Sequence, residues 1–499
     1  MICFFLLALE TFLIPFLSNL VTAIILFYCR NLNKIKCKSF ARFVINIKKV
    51  KKIIPSLPKG TRDYGPIEMK NREYLFKIFK KYFSLYGFNC IETPSMENSD
   101  VLNGKYGEEG DRLIYRVLNS GDFLKKIDNL NTLESNELKS QISKKGLRYD
   151  LTVPFARYVS MNRNNITMPF KRYQIQPVWR ADRPQKGRFR EFYQCDADYI
   201  GTKSIVCESE IISLVNSIFN ALKINDFEIK LNNRKILLGI SEIFDFKNKF
   251  EKFCILIDKI DKIGLSGLEK EMVLNDFSKE TINEIISLFN FKGNNSKKIE
   301  YLKKILFKSK IGLEGIEEIE KLMNITNEFT LDLSLARGLS YYTSTIFEVI
   351  SKSNDIGSLS GGGRYDDLTE IFGYKDISGI GISFGVERII EVLTSNNLFP
   401  KNDNNKINVL ISYLSDKFIK SSLGIANKLR ENDILTDLYS DKGKLKKQLQ
   451  YANNNSIPFV IIIGEDEIKN NTYILKNMIN GNQNLLTIDE IINKLSSIK

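Results

Sequence analysis

The chain has 499 residues, 43% of them hydrophobic and 26% charged, and it contains no histidine. That composition belongs to a globular protein of roughly two to four domains; the missing histidine excludes a Ser-His-Asp triad, a Cys-His dyad, an H-E-x-x-H metal site and a histidine general base. The net charge of +14 suggests a polyanionic partner, but residues 1–52 hold nine Lys/Arg against Glu10 alone and so carry +8 of it.

Residues 1–52 open with an almost wholly apolar run from Met1 to Cys29, followed by a basic stretch to Lys52. Length and flank suit a membrane anchor or an uncleaved signal. The favoured reading is translation upstream of the true start, and a two-part organelle address is the third. Periodic apolar positions predict a helix over 67–87, stopped at Gly87, and a strand from Phe88 ending at Pro94. Residues 170–200 alternate around a basic, Gly-containing break and predict strand, loop, strand. A helix is expected over 207–223. From 225 to 330 Lys, Glu, Ile and Leu at helical spacing predict a separate helical insertion.

Strand signals return at 331–338, 344–350 and 381–386, with the glycine run Gly361–Gly363 between them. The segment 403–406 is a plausible linker. Beyond it, strands alternate with helices, which indicates a small α/β domain. The cysteines (Cys3, Cys29, Cys37, Cys90, Cys195, Cys207 and Cys254) form no C-x-x-C pair. They argue for reduced thiols in a cytosol-like compartment and against a zinc site.

One segment dominates, from Trp179 to Gln194. Two strands joined by a loop holding Arg180, Arg183, Arg188 and Arg190 make a clamp for a polyphosphate, because the guanidinium stays charged and forks onto phosphate oxygens. An exposed basic hairpin is the plainer alternative, but it leaves Pro184, Gln185 and Gly187 among the arginines unexplained.

This segment resembles motif 2 of the class II aminoacyl-tRNA synthetases, in its histidyl form. Phe88 to Pro94 resembles motif 1, the dimer-interface strand, and Gly381 to Arg388 resembles motif 3. Leu335 to Tyr342 and Ser360 to Asp366 resemble the two histidyl signatures, and Pro58 to Asp63 resembles the family's opening. The resemblance runs from about Pro55 to the end.

It implies an α+β fold: an antiparallel class II sheet flanked by helices, with a helical insertion and a C-terminal α/β anticodon-binding domain. The catalytic domain would occupy 55–224 and 331–400, the insertion 225–330 and the anticodon-binding domain 407–499, after the extension at 1–52. The implied activity is ligation of L-histidine to tRNA(His) through histidyl-adenylate, with ATP and Mg2+, by a cytoplasmic homodimer without stable membrane association; residues 1–52, if genuine, would instead imply an organelle or membrane-tethered location.

Roles follow from the same resemblance. Arg337 and Arg180 are the catalytic arginines on the α-phosphate. ATP would be held by Arg180, Asp182, Arg188, Phe192, Gly385 and Arg388, with Asp182 standing where the family more often has Glu. Histidine would be held by Asp150, Thr152, Gln194, Asp198, Tyr341 and Tyr342, and the tRNA acceptor end by Arg183 and Gln185. Ser340 replaces an Asp often found there. No protein His or Cys would bind metal. A catalytically inactive regulatory paralogue of histidine biosynthesis is the chief rival, another class II synthetase the second, and a membrane-tethered RNA-binding protein the third.

Overall fold

A computed structural model describes residues 54–103, 111–125, 127, 133–184, 187–337, 341–353, 356–400, 407–441 and 444–497. The expectations for 1–52, Gln185, Ser340 and the linker at 403–406 fall outside these residues. The chain divides into two compact units, with the main boundary at Ile390/Glu391.

The first unit is built on an eight-stranded sheet. Its strands and those of a small side sheet are β1 (Asn89–Cys90), β2 (Met96–Asn98), β3 (Arg116–Val117), β4 (Lys145–Leu147), β5 (Phe170–Trp179), β6 (Glu191–Ile200), β7 (Phe227–Asn233), β8 (Thr330–Leu331), β9 (Thr345–Ser351), β10 (Ser358–Tyr365) and β11 (Gly379–Gly385). The large sheet runs β1-β5-β6-β11-β10-β9-β7-β8, and the side sheet β2-β4-β3. Its centre is antiparallel; only the edge strands β1 and β8 pair in parallel.

The pleat separates two faces with different chemistry. On one, Tyr173, Ala197, Ile382, Cys195 and Phe384 point toward helices Pro66–Leu85 and Val206–Ala221. Phe83 lies 5.1 Å from Tyr173, and Phe79 lies 5.2 Å from Phe384. Pro66 opens the first of these helices, and the Glu68 carboxylate accepts from the Gly65 amide at 2.7 Å. Gly87, at φ +78°, turns the chain out of it.

Three expectations need correction. The strand expected over 88–94 is only Asn89–Cys90, an edge pair beside Arg172 and Tyr173. The helical stretch does not begin at 225, because β7 belongs to the main sheet opposite β9. It runs as six α-helices from Arg234 to Met323. Helices Arg234–Ile243 and Lys310–Met323 cross where a Cβ on Gly239 would come 2.6 Å from the Gly312 Cα, an approach only glycine permits. The segment 331–338 is not a strand beyond Leu331. Asp332 instead accepts from the Ser334 amide and hydroxyl, at 3.0 and 2.6 Å, and turns the chain.

A buried ion pair ties distant segments of this unit. Arg364 on β10 donates twice to Glu208, at 2.7 Å each, and once to the Ser378 hydroxyl. Glu208 is wholly buried. Glu208→Ala is expected to cost roughly 3–5 kcal/mol, because it strands a buried guanidinium; urea denaturation of the purified variant measures this, and a loss under about 1 kcal/mol contradicts it.

The second unit carries β12 (Val409–Tyr413), β13 (Thr436–Leu438), β14 (Phe459–Ile463), β15 (Tyr473–Asn477) and β16 (Gln483–Leu486), in the order β13-β12-β14-β15-β16. Helices Ile419–Glu431 and Ile488–Ser496 cover one face through Ile425, Leu429 and Ile491. Helix Leu445–Asn454 covers the other. It is locked by buried Gln448, which donates to the Tyr413 carbonyl at 2.9 Å and accepts from Ser412 at 2.7 Å.

Candidate active site

The other face of the large sheet is polar. Arg172 and Gln174 on β5 lie opposite Asp198 and Asp196 on β6, which in turn face Gly381 and Ser383 on β11. Gly363 and Gly361 on β10 continue these two rows. The glycine run is therefore a central strand, not a turn, although glycine disfavours strands. Neighbours explain it. A Cβ on Gly361 would sit 2.4 Å from the Arg337 guanidinium, one on Gly363 would sit 2.8 Å from Tyr342, and one on Gly381 would collide with the Asp198 carboxylate. The bare backbone is the floor on which the chemical groups rest.

Arg337 reaches this floor from a backbone in the left-handed region, φ +57°, an uncommon conformation for a side-chain-bearing residue. Its Nη1 pairs with Glu348 at 3.2 Å. Gly361→Val is expected to displace the guanidinium and lower the adenylate formation that the sequence resemblance implies by roughly 10²-fold, the scale of a misplacement of about 1 Å. In an Arg337→Ala background the same change should add little, because the two act through one contact; full additivity would mean that Gly361 serves another purpose.

Arg180 follows β5 immediately. Its Nε donates to the Tyr149 carbonyl at 3.1 Å, and its guanidinium lies 4.3 Å from the Tyr149 ring and 5.2 Å from that of Phe192. Asp182 pairs with Arg188 and accepts from the Arg183 amide at 2.7 Å. Arg388, in helix Val386–Ser395, donates to the Ser358 carbonyl at 2.6 Å. Burial lowers its pKa, and the positive charges of Arg188, Arg337 and Arg180 lower it further, against Glu348. Four arginines thus share one region with few carboxylates, an arrangement suited to a polyanion.

Beside them lies a carboxylate pocket. Asp198 is held by Arg172 at 2.8 Å and accepts from the Tyr365 hydroxyl at 2.8 Å. Burial raises its pKa. Gln194 donates to Ser383 at 3.2 Å. Asp150 accepts from the Val153 amide at the start of helix Thr152–Met161. Tyr341 donates to Asp150 at 3.5 Å and packs 4.9 Å from the buried Tyr342. Gly385 ends β11 opposite Gln194. The structure thus gathers Asp150, Gln194, Asp198, Tyr341, Tyr342, Arg180, Arg188, Arg337 and Arg388 around one face. Thr152 is the first residue of its helix and buried. Arg183 is exposed on the loop that follows β5.

Several residues of this face escape the sequence reading. Arg172, Gln174, Asp196 and Glu348 are buried or half-buried on it. Strict alternation along β6 could have found Asp196, which lies between Gln194 and Asp198 with the same parity. Nothing local marks Glu348 or Arg172. Among the described residues no group of three or more His, Cys, Asp or Glu could hold a metal ion.

Comparison with known proteins agrees with this geometry. Residues 138–389 match the family described as histidyl-tRNA synthetase, and residues 408–498 match the anticodon binding domain. A histidine–tRNA ligase from Cytophaga hutchinsonii is 50% identical over 449 residues, covering 88% of this chain and 99% of that protein. One from Bacteroides fragilis is 48% identical over 450 residues, covering 89% and 99%. The crystal structure of histidyl-tRNA synthetase from Nostoc sp. PCC 7120 aligns with a TM-score of 0.70 at 27% identity, over 90% of this chain and 100% of that one. A Bacillus halodurans protein described as an ATP phosphoribosyltransferase regulatory subunit/histidyl-tRNA synthetase shares the fold, with a TM-score of 0.65 at 20% identity. With half the sequence of a full-length relative retained, and with the sheet, the glycine floor and the arginine cluster in place, the chain belongs to the histidyl-tRNA synthetase family.

Proposed function

We propose that this chain is a histidine–tRNA ligase that activates L-histidine with ATP and transfers it to tRNA(His). The convergence of Arg180, Arg188, Arg337 and Arg388 beside a buried carboxylate pocket carries the reading. Triphosphate goes to the arginines. The amine and imidazole of histidine go to Asp150, Gln194, Asp198, Tyr341 and Tyr342, since an imidazole offers one donor and one acceptor nitrogen. Phe192 takes the adenine face, with Asp182 at its edge, and Gly385 lets the nucleotide approach the backbone.

The first step joins a histidine carboxylate oxygen to the α-phosphorus and releases pyrophosphate. Charge grows on the α-phosphate oxygens, and Arg337 and Arg180 stabilise it without reorganising. Magnesium would enter with ATP as part of the substrate and would supply positive charge to its phosphates. In the second step a ribose hydroxyl of the tRNA 3′ end attacks the histidyl carbonyl. Its proton passes to the adenylate phosphate and AMP leaves. No protein histidine is required.

Relatives at 46–50% identity are histidine–tRNA ligases, which favours the ligase over the regulatory paralogue. The second unit serves the anticodon, and exposed Lys444, Lys446 and Lys447 supply phosphate contacts. Arg183 and Gln185 serve the acceptor end. A homodimer across β1 is part of the proposal, supported by that strand's place at the sheet edge. A cytoplasmic location rests on the free thiols of Cys90, Cys195, Cys207 and Cys254. Among the described residues no helix is long and apolar enough to cross a membrane. Charging of tRNA transcripts with labelled histidine tests the function: tRNA(His) is expected to be acylated and other transcripts not, and label on a different tRNA would refute it.

A further inference from the structure

One row of the sheet runs from Gln174 through Asp196, Ser383 and Gly361 to Glu348, each directly opposite the next. Arg337 rests on Gly361 toward one end of the row. Asp196 lies toward the other, flanked on its own strand by Gln194 and Asp198. It is 2% exposed. Arg172 pairs with Asp198 at 2.8 Å but stands 4.0 Å from Asp196. Among the described residues, Asp196 Oδ1, Gln174 Oε1 and Gln194 Oε1 have no hydrogen-bond donor, and Nε and Nη1 of Arg172 on the same face, turned to Asp198 through Nη2, have no acceptor.

A buried carboxylate oxygen without a donor is costly. Three unanswered acceptors on one patch of floor point to a ligand rich in N–H groups. Phosphates bring acceptors and negative charge, which suits the arginines and not this end. An amino acid with an ammonium and an imidazole brings the donors this patch needs. We propose that Asp196 is a substrate-binding carboxylate: its Oδ1 accepts a hydrogen bond from a protonated nitrogen of the bound amino acid, alongside Gln194 and Asp198. This deepens the proposed function and rests on it.

The surroundings add a pH signature. Burial pushes the Asp196 pKa up to about 7, Asp198 and Asp150 push the same way, and Arg172 and the Ser383 hydroxyl oppose them. Tyr342 and Cys195 are the other titratable neighbours. The ionised form is the better acceptor and balances a cationic nitrogen. Productive binding of the amino acid therefore improves as pH rises through about 7.

The test is pyrophosphate exchange by the full chain and its Asp196→Asn variant on both sides of pH 7. The variant is expected to raise KM for histidine by roughly 10- to 100-fold, the worth of one charge-assisted hydrogen bond. KM for ATP should stay within about twofold. The wild-type to variant ratio of kcat/KM for histidine should climb with pH, since titration of the substrate itself cancels in the ratio. An unchanged histidine KM, or a pH-independent ratio, overturns the assignment. Asp196→Ser carries the same expectations if the asparagine variant does not fold. Wild-type protein that exchanges with histidine beside an unaffected variant removes Asp196 alone; wild-type protein that does not exchange with histidine removes the proposed function itself.

Discussion

Arg337→Ala is expected to fold as the native chain does and to lose pyrophosphate exchange by roughly 10²–10³-fold, the cost of one preorganised charge contact at a reacting centre. The structure explains why the loss should be in kcat more than in KM. The guanidinium lies on bare backbone at Gly361, is steered by Glu348, and springs from a left-handed residue. A contact fixed in advance serves the charge that develops, not the charge already present. The loop before it is anchored independently: buried Asn232 donates to the carbonyls of Leu333 and Leu335, at 3.2 and 2.9 Å. Truncation at Cβ leaves those bonds intact, so melting should shift little. Exchange within a few-fold of native would make Arg337 structural and relocate the site.

Removal of 405–499 is expected to leave adenylate formation largely intact while charging of tRNA falls by about 10²-fold or more, the scale on which phosphate contacts and their salt dependence act. Residues 408–498 match an anticodon binding domain, and the second unit has its own two-faced core around β12 and β14. No residue of the proposed chemical site lies in it. Parallel assays of exchange and charging on the truncated chain separate the outcomes. Charging at full efficiency would give the unit another task, and loss of both activities would make it necessary for the catalytic fold.

The β5–β6 hairpin was legible because ten-residue alternation and a Pro/Gly-containing loop are local signals. The helical stretch was legible for the same reason, and its start was not. Phe227 to Asn233 alternates as a strand should, but its Glu and Lys resemble the helices that follow. Gly361–Gly363 carried no strand signal, since the reason for glycine there is the side chains of Arg337 and Tyr342 arriving from elsewhere. The reading of 331–338 failed for the converse reason. Its apolar alternation is overridden by the Asp332 turn and by the Asn232 anchor, about a hundred residues away in sequence. The arginines of the site were legible by type and motif. Their convergence is tertiary, as is the Arg364–Glu208 pair.

The most direct measurement is ATP–pyrophosphate exchange by the full chain, with each protein amino acid offered separately. Histidine alone is expected to support exchange, dependent on ATP and magnesium and lost in Arg337→Ala. Exchange with another amino acid at equal efficiency, or none with histidine, would contradict the assignment of the buried carboxylate pocket and the arginine cluster to one reaction.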